Sequence, residues 1–244
     1  MEKNHNNASV NNTAFLTMCS YPDPYDKSRG IRMTASYFDI PLHFITWGGS
    51  IACKDGYQGY VEKLKQTLRY LYLSSSSYIY FTDCVDVCFI GSIQNILNDF
   101  NKYYTGKVIF QKADTNYPIN DITFTNKILK THHGLANAGC YCGERLKIIE
   151  VLEHCITLRQ DKINAQQIAG IDISNFLYYN DQFWVQMCKL TMPELITIDI
   201  DKKIFDIFRE TKDKYDALIL HSPGKSWHNN PTGWVDKIKK LYDC

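Results

Sequence analysis

Tyr78-Ile79-Tyr80-Phe81-Thr82-Asp83-Cys84-Val85-Asp86 is the stretch on which the fold of this chain turns. A short apolar run follows the serines at 74–77 and stops at a polar turn, the pattern of a buried strand. The same grammar repeats upstream. Ala14-Phe15-Leu16-Thr17-Met18-Cys19 is an apolar strand ending at the turn Tyr21-Pro22-Asp23-Pro24, where Asp23 can cap a helix that has Pro24 at its first position. That helix is expected to reach Phe38, interrupted near Gly30, and residues 41–47 form the next strand ahead of Gly48-Gly49. Val61, Leu64, Leu68 and Leu71 then recur at helical spacing, with Lys63, Lys65, Gln66 and Arg69 on the other face. Strand, helix, strand, helix, strand over the first 90 residues predicts an α/β fold, a mostly parallel sheet flanked by helices.

The rest of the chain keeps the rhythm. A helix is expected at 92–103 and a strand at 107–111, followed by an irregular, turn-rich segment at 114–131. Asn137-Ala138-Gly139-Cys140-Tyr141-Cys142-Gly143 reads as a strand or tight loop before a helix at 144–158. A helix at 181–190, a strand at 195–199, the strand Ala217-Leu218-Ile219-Leu220 stopping at His221, and a closing helix at 234–242 complete the pattern. No repeat and no long linker divides it. Residues 14–244 therefore read as one domain behind a polar, Asn-rich and disordered segment at 1–13.

The 244 residues carry 27 Lys and Arg against 26 Asp and Glu, a formal net charge of +1. Hydrophobic residues at 45% exclude a disordered chain, and the near-neutral balance argues against duplex nucleic acid as a partner. No apolar run approaches the roughly 20 residues of a membrane span, and the first residues lack the apolar stretch of a secretory signal. A soluble, cytoplasmic protein is expected. Nine cysteines, an odd number partly set in apolar segments, fit reduced thiols better than a disulfide scaffold. Cys140-Tyr141-Cys142 is too closely spaced for the usual zinc pairs, and the sequons at Asn7 and Asn11 read as chance matches.

In open α/β sheets, ligands gather beyond the carboxyl ends of the strands. Asp83 and Asp86 follow one strand directly, and carboxylates so spaced can converge on a hard cation such as Mn²⁺ or Mg²⁺. The alternative is a turn whose aspartates cap the next helix. His221-Ser222-Pro223-Gly224-Lys225 follows another strand. There His221 can add a third ligand, Gly224 lets backbone approach a phosphate and Lys225 neutralises it, unless His and Lys are merely solvated. Asn180-Asp181-Gln182 opens a helix with an acid and an amide, which fits either a site or a helix cap.

Together and in order, these pieces resemble the metal-dependent nucleotide-sugar glycosyltransferases of the GT-A fold, especially the glycosyltransferase domain of procollagen lysyl hydroxylases. The resemblance runs from Ala14 to about Trp227. Ala35-Ser36-Tyr37-Phe38 resembles the segment before that family's second strand, and Thr82-Asp83-Cys84-Val85-Asp86-Val87 its Asp-x-x-Asp motif. Asn137-Ala138-Gly139 is similar to its Asn-Ser-Gly segment, and Asn180-Asp181-Gln182-Phe183 to its Asp-Asp-Gln segment. His221-Ser222-Pro223-Gly224-Lys225-Ser226-Trp227 is similar to the His-x-x-Gly-x-Lys ending of glycogenin-like enzymes. The chain departs from the family in lacking a hydroxylase half, in carrying Asn180 for the first acid, and in reducing the Gly-rich run to Gly56-Tyr57-Gln58-Gly59.

The resemblance implies a GT-A fold and transfer of a hexose from a UDP-sugar to a hydroxyl-bearing acceptor, whether peptide, glycan or small molecule. It implies Mn²⁺ or Mg²⁺ on Asp83, Asp86 and His221, and Lys225 with Gly224 at the diphosphate. Thr17, Cys19, Tyr25 and Trp47 fall near the base and ribose, and Asn137, Asp181 and Gln182 near the sugar or acceptor. Asp181 is the catalytic residue, a general base in an inverting reaction or a stabiliser of an oxocarbenium-like centre in a retaining one. Two other functions share these features: a nucleotide-sugar-binding module without turnover, and a metal-dependent nucleotidyl or phosphoryl transferase.

Overall fold

The computed structural model describes residues 7–19, 28–46, 58–115, 121–131, 134–173, 180–209, 212, 214–222, 236 and 240. In chain order the elements are β1 (Thr13–Cys19), α1 (Arg29–Tyr37), β2 (Leu42–Thr46), α2 (Gln58–Leu73), β3 (Tyr78–Asp83), β4 (Val87–Phe89), α3 (Ile93–Tyr103) and β5 (Val108–Ala113). They continue with α4 (Ile122–Thr131), β6 (Leu135–Glu144), α5 (Arg145–Gln160), α6 (Lys162–Ala169), α7 (Asp181–Thr191), β7 (Ile196–Asp199), β8 (Phe205–Ile207) and β9 (Ile219–His221). Six strands form one sheet in the order β2-β1-β3-β6-β5-β7, and β4-β9-β8 form a small second sheet. Pairing is parallel between β1 and β2, β1 and β3, and β5 and β7. Among the described strands of the six-stranded sheet, β6 alone runs the other way, antiparallel to both β3 and β5.

The central strands are buried on both faces, as parallel strands covered by helices must be. Along β3, Ile79 and Phe81 point into a layer with Leu64 and Leu71 of α2, Leu152 of α5 and Trp184 of α7. Tyr78 and Tyr80 point the other way, toward Ile31 of α1, Phe100 of α3, and Phe89 and Ile219 of the small sheet. The alternation of one strand thus divides two apolar cores. Stacked rings tie the strands within each layer, Phe15 on Tyr80 at 4.7 Å and Phe81 on Tyr141 at 4.7 Å between centroids.

The α/β class, the first three strands and the helices at α3, α5 and α7 match the expected pattern within a few residues. The segment expected to be irregular at 114–131 instead contains α4. Asp121 Oδ1 accepts the Phe124 N–H at 2.8 Å, and Phe124 and Ile128, one turn apart, are fully buried, so a cap and a core face fix the helix. The short strands β4 and β8 and the helix α6 add to the predicted set. The chain joins the fold ahead of Ala14: Ala8 is buried, and its backbone N–H and C=O both bond the Asn101 side chain at 2.9 Å. Asp23 and Pro24 lie outside the described residues, as does most of 234–242. Among the described residues, no helix is long and apolar enough to cross a membrane.

Candidate active site

The site is assembled at the carboxyl edge of the large sheet. Asp83 ends β3, and Asp86 follows in the turn before β4. The Ser222 N–H donates to the Asp86 carbonyl at 2.7 Å, and Val87 pairs with His221, so the short β4–β9 ladder brings the last described strand to this turn. The reversed strand β6 enters the sheet at the edge where β3 leaves it. Phe110 pairs with Tyr141 but Gln111 pairs with Asn137, so Ala138, Gly139 and Cys140 bulge out of the β5 ladder. The bulge turns the Gly139 N–H onto Asn137 Oδ1 at 2.7 Å.

Asp83, Asp86 and His221 each offer one ligand atom, all within 4.8 Å of one another. His221 Nε2 stands 3.3 Å from Asp86 Oδ2, and Nδ1 stands 2.6 Å from Gln111 Oε1. Two carboxylates and an imidazole suit Mn²⁺ or Mg²⁺, so the donor set fits a divalent cation. The space depends on Gly139. A Cβ there would lie 2.5 Å from His221 Cε1 and 2.7 Å from Asp83 Oδ2, closer than real Cβ atoms come. Neither aspartate caps the following helix; Ser92 does so, accepting the Asn95 N–H. His221 is only 2% exposed, which removes the solvated reading.

Burial pushes the Asp83 carboxyl above its ordinary range, Lys63 opposes this, and the nearby Asp86 carboxylate adds to it. Burial works against charge on His221, but the Asp86 carboxylate outweighs it and holds the imidazole well above its usual value. A site that gathers negative charge in a buried setting favours a cation.

Lys63 of α2 links the two halves of the site. Its ammonium lies 3.0 Å from Asp83 Oδ1, ion-pairs with Asp181 Oδ2, and reaches the Ala138 carbonyl of the bulge at 3.5 Å. Burial opposes its charge, yet Asp181 and Asp83 hold its pKa well above that of a free lysine. Asp181 is 3% exposed at the first position of α7, and its Oδ1 accepts its neighbour's N–H from Gln182 at 3.0 Å. Capping falls to Asn180, whose Oδ1 accepts the Phe183 N–H at 3.2 Å. The departure at Asn180 thus divides the labour, with the amide closing the helix and the acid facing Lys63.

The other predicted residues spread along the same edge. The Thr17 hydroxyl donates to the Thr82 carbonyl at 2.9 Å and so ties β1 to β3. Cys19 is buried at the end of β1, where its thiol meets Cys84. Gln182 reaches the Thr115 carbonyl at 3.5 Å. Tyr25, Trp47, Gly224 and Lys225 lie outside the described residues. Sequence reasoning missed Lys63 and Gln111. Lys63 gave no signal, being one of several polar residues on its helix face. Gln111 did, as the polar end of an apolar strand, the same signature that marks Asp83.

The family described as PLOD GT domain matches residues 33–229, most of the chain. No curated protein matches by sequence. Among solved structures, a glycosyltransferase involved in the glycosylation of the major capsid of PBCV-1 is similar, with a TM-score of 0.56 at 9% identity over 95% of this chain and 99% of that one. That likeness speaks to the fold, an α/β glycosyltransferase fold of the GT-A kind, and the family match to the chemistry. With residues 33–229 matched by its model, the chain belongs to the PLOD GT domain family of glycosyltransferases.

Proposed function

We propose that this protein transfers a hexose from a UDP-sugar to a hydroxyl acceptor, a hydroxylysine-type peptide group, a glycan or a small molecule, with Mn²⁺ or Mg²⁺ held by Asp83, Asp86 and His221. The observation that carries the reading is the convergence of those three ligand atoms within 4.8 Å beside an ion-paired Lys63–Asp181 couple. When bound, the cation supplies positive charge to the departing diphosphate. Lys225, with Gly224 giving close backbone approach, adds charge on the same oxygens. Thr17 and Cys19 of β1, together with Tyr25 and Trp47, border the base and ribose. Asn137 and Gln182 supply hydrogen bonds to sugar or acceptor hydroxyls. Lys63 holds Asp181 in place through their ion pair. From there Asp181 accepts the acceptor's proton in an inverting transfer, or stabilises positive charge at the anomeric carbon in a retaining one.

Slow release of UDP from UDP-glucose or UDP-galactose in Mn²⁺ without acceptor is the expected result, and a screen of UDP-sugars identifies the donor. Absence of release from every UDP-sugar, with tight UDP–Mn²⁺ binding, would favour a binding module. We further propose a reducing, cytoplasm-like location, supported by buried free thiols at Cys84, Cys140, Cys142, Cys155 and Cys188. Intact mass after alkylation of the native protein isolated from its source tests it; several disulfides would overturn it.

A further inference from the structure

Gln111 ends β5, is 1% exposed, and spends both ends of its amide. Its Nε2 donates to the Asp206 carbonyl of β8 at 3.0 Å, and its Oε1 faces His221 Nδ1 at 2.6 Å. A backbone carbonyl only accepts, so the amide must turn its NH₂ to Asp206 and its oxygen to His221. That oxygen only accepts in turn, which requires a proton on Nδ1. The carbonyl cannot drift. Asp206 lies in β8, in register with Leu220 of β9, and its carboxylate is gripped by Lys202 at 2.9 Å and Lys212 at 2.6 Å.

A second acceptor competes for the imidazole proton. Asp86 Oδ2 stands 3.3 Å from Nε2 and, when the ring carries the single proton of a metal-binding imidazole, would by itself draw that proton there. An N–H at Nε2 points into the space between the ligand atoms and cannot bind a cation.

We infer that Gln111 is a positioning residue of the cation site, holding His221 as the Nδ1–H tautomer so that Nε2 presents its lone pair beside Asp83 and Asp86. The inference rests on the proposed metal role of His221 and adds the element that orients it. The amide also joins the two sheets, since it reaches from β5 to both β8 and β9. Orienting partners of metal-bound imidazoles commonly carry about 10–100-fold in metal affinity.

Calorimetric titration of Mn²⁺ alone into wild type, His221→Ala, Gln111→Leu and Gln111→Glu tests this. Gln111→Leu should bind Mn²⁺ about 10–100-fold more weakly. Gln111→Glu should recover most of the loss, because a carboxylate also accepts the Nδ1 proton. Wild-type affinity in a folded Gln111→Leu protein, with His221→Ala impaired, overturns the role of Gln111 and leaves the metal reading standing. Wild-type affinity in His221→Ala overturns both. Should the Gln111 variants fold poorly, ¹⁵N spectra of His221 in the wild type titrated with Zn²⁺ decide. Coordination at Nε2 with a proton retained on Nδ1 is expected, and coordination at Nδ1 overturns the inference.

Discussion

Asp83 and Asp199 end two strands of the same sheet, β3 and β7, and both follow apolar runs. The fold treats them in opposite ways. Asp199 Oδ1 accepts the Lys203 N–H at 2.9 Å, and its Oδ2 accepts the Ile204 and Phe205 N–H groups at 2.8 Å. The carboxylate closes the turn into β8, with little acceptor capacity left for a ligand. Asp83 receives one side-chain cation and otherwise faces a second carboxylate and an imidazole. Backbone donors make an acid structural; converging side chains make it a site. A strand ending in aspartate announces neither.

The largest test of that contrast exchanges each acid for its amide. Asp83→Asn should cut UDP release by at least ~10²-fold, the scale of losing one charged stabilising group, with the melting temperature little changed. Asp199→Asn should do the reverse, losing about 1–3 kcal/mol of stability from unsatisfied backbone donors while activity persists in the folded fraction. Parallel melts and turnover assays read both, and matching effects in the two variants would end the comparison.

Gly139→Ala comes next. The added methyl must displace His221 or Asp83, so Mn²⁺ affinity should fall at least ~10-fold, while Gly170→Ala, where a Cβ meets nothing within 4 Å but a φ of +72° strains a side chain, costs stability and leaves Mn²⁺ binding intact.

Lys63→Met sharpens the contrast from the cation's side. It strands Asp83 and Asp181 without their shared counter-ion, at a cost somewhat under the ~3–5 kcal/mol of a fully buried pair, because the Asp83 side chain is 31% exposed. Mn²⁺ should therefore raise the melting temperature of Lys63→Met more than that of wild type. An equal rise in both would remove Lys63 from the site.

The smallest effect concerns a third acid. Burial would raise the Asp206 carboxyl, but Lys212 and Lys202 prevail and hold it below the usual range. A depressed acid contributes stability above its unfolded pKa of about 3.9 and loses it as pH falls through the folded value. The melting-temperature gap between wild type and Asp206→Asn should be full near neutrality and close below about pH 4. A gap that widens on acidification contradicts the assignment.

Much of this was legible because the fold places its chemistry where strands stop. Asp83, Asp86 and His221 each follow an apolar run, and short-range pattern carries that signal. Their meeting was not legible from spacing. It depends on β4 pairing with β9, strands too short to show a period and far apart in the chain. Lys63 stayed hidden because an amphipathic pattern separates polar from apolar faces without saying which polar residue tilts toward a sheet edge. The helix α4 was overlooked for the opposite reason. Its Asp121 cap and its Phe124–Ile128 face were present, but they were masked by the turn-forming residues at 114–120.

The bulge in β6 has a bearing on evolvability. Ala138, Gly139 and Cys140 hold no place in the β5 ladder, while Cys140 still pairs with Thr82 of β3. One flank of the strand is anchored and the other already skips residues, so a length change there costs few hydrogen bonds. Descendants of this chain can therefore vary the backbone beside Asp83 through β6 without unzipping the β3–β6 ladder, so long as the space that Gly139 leaves beside His221 and Asp83 is kept.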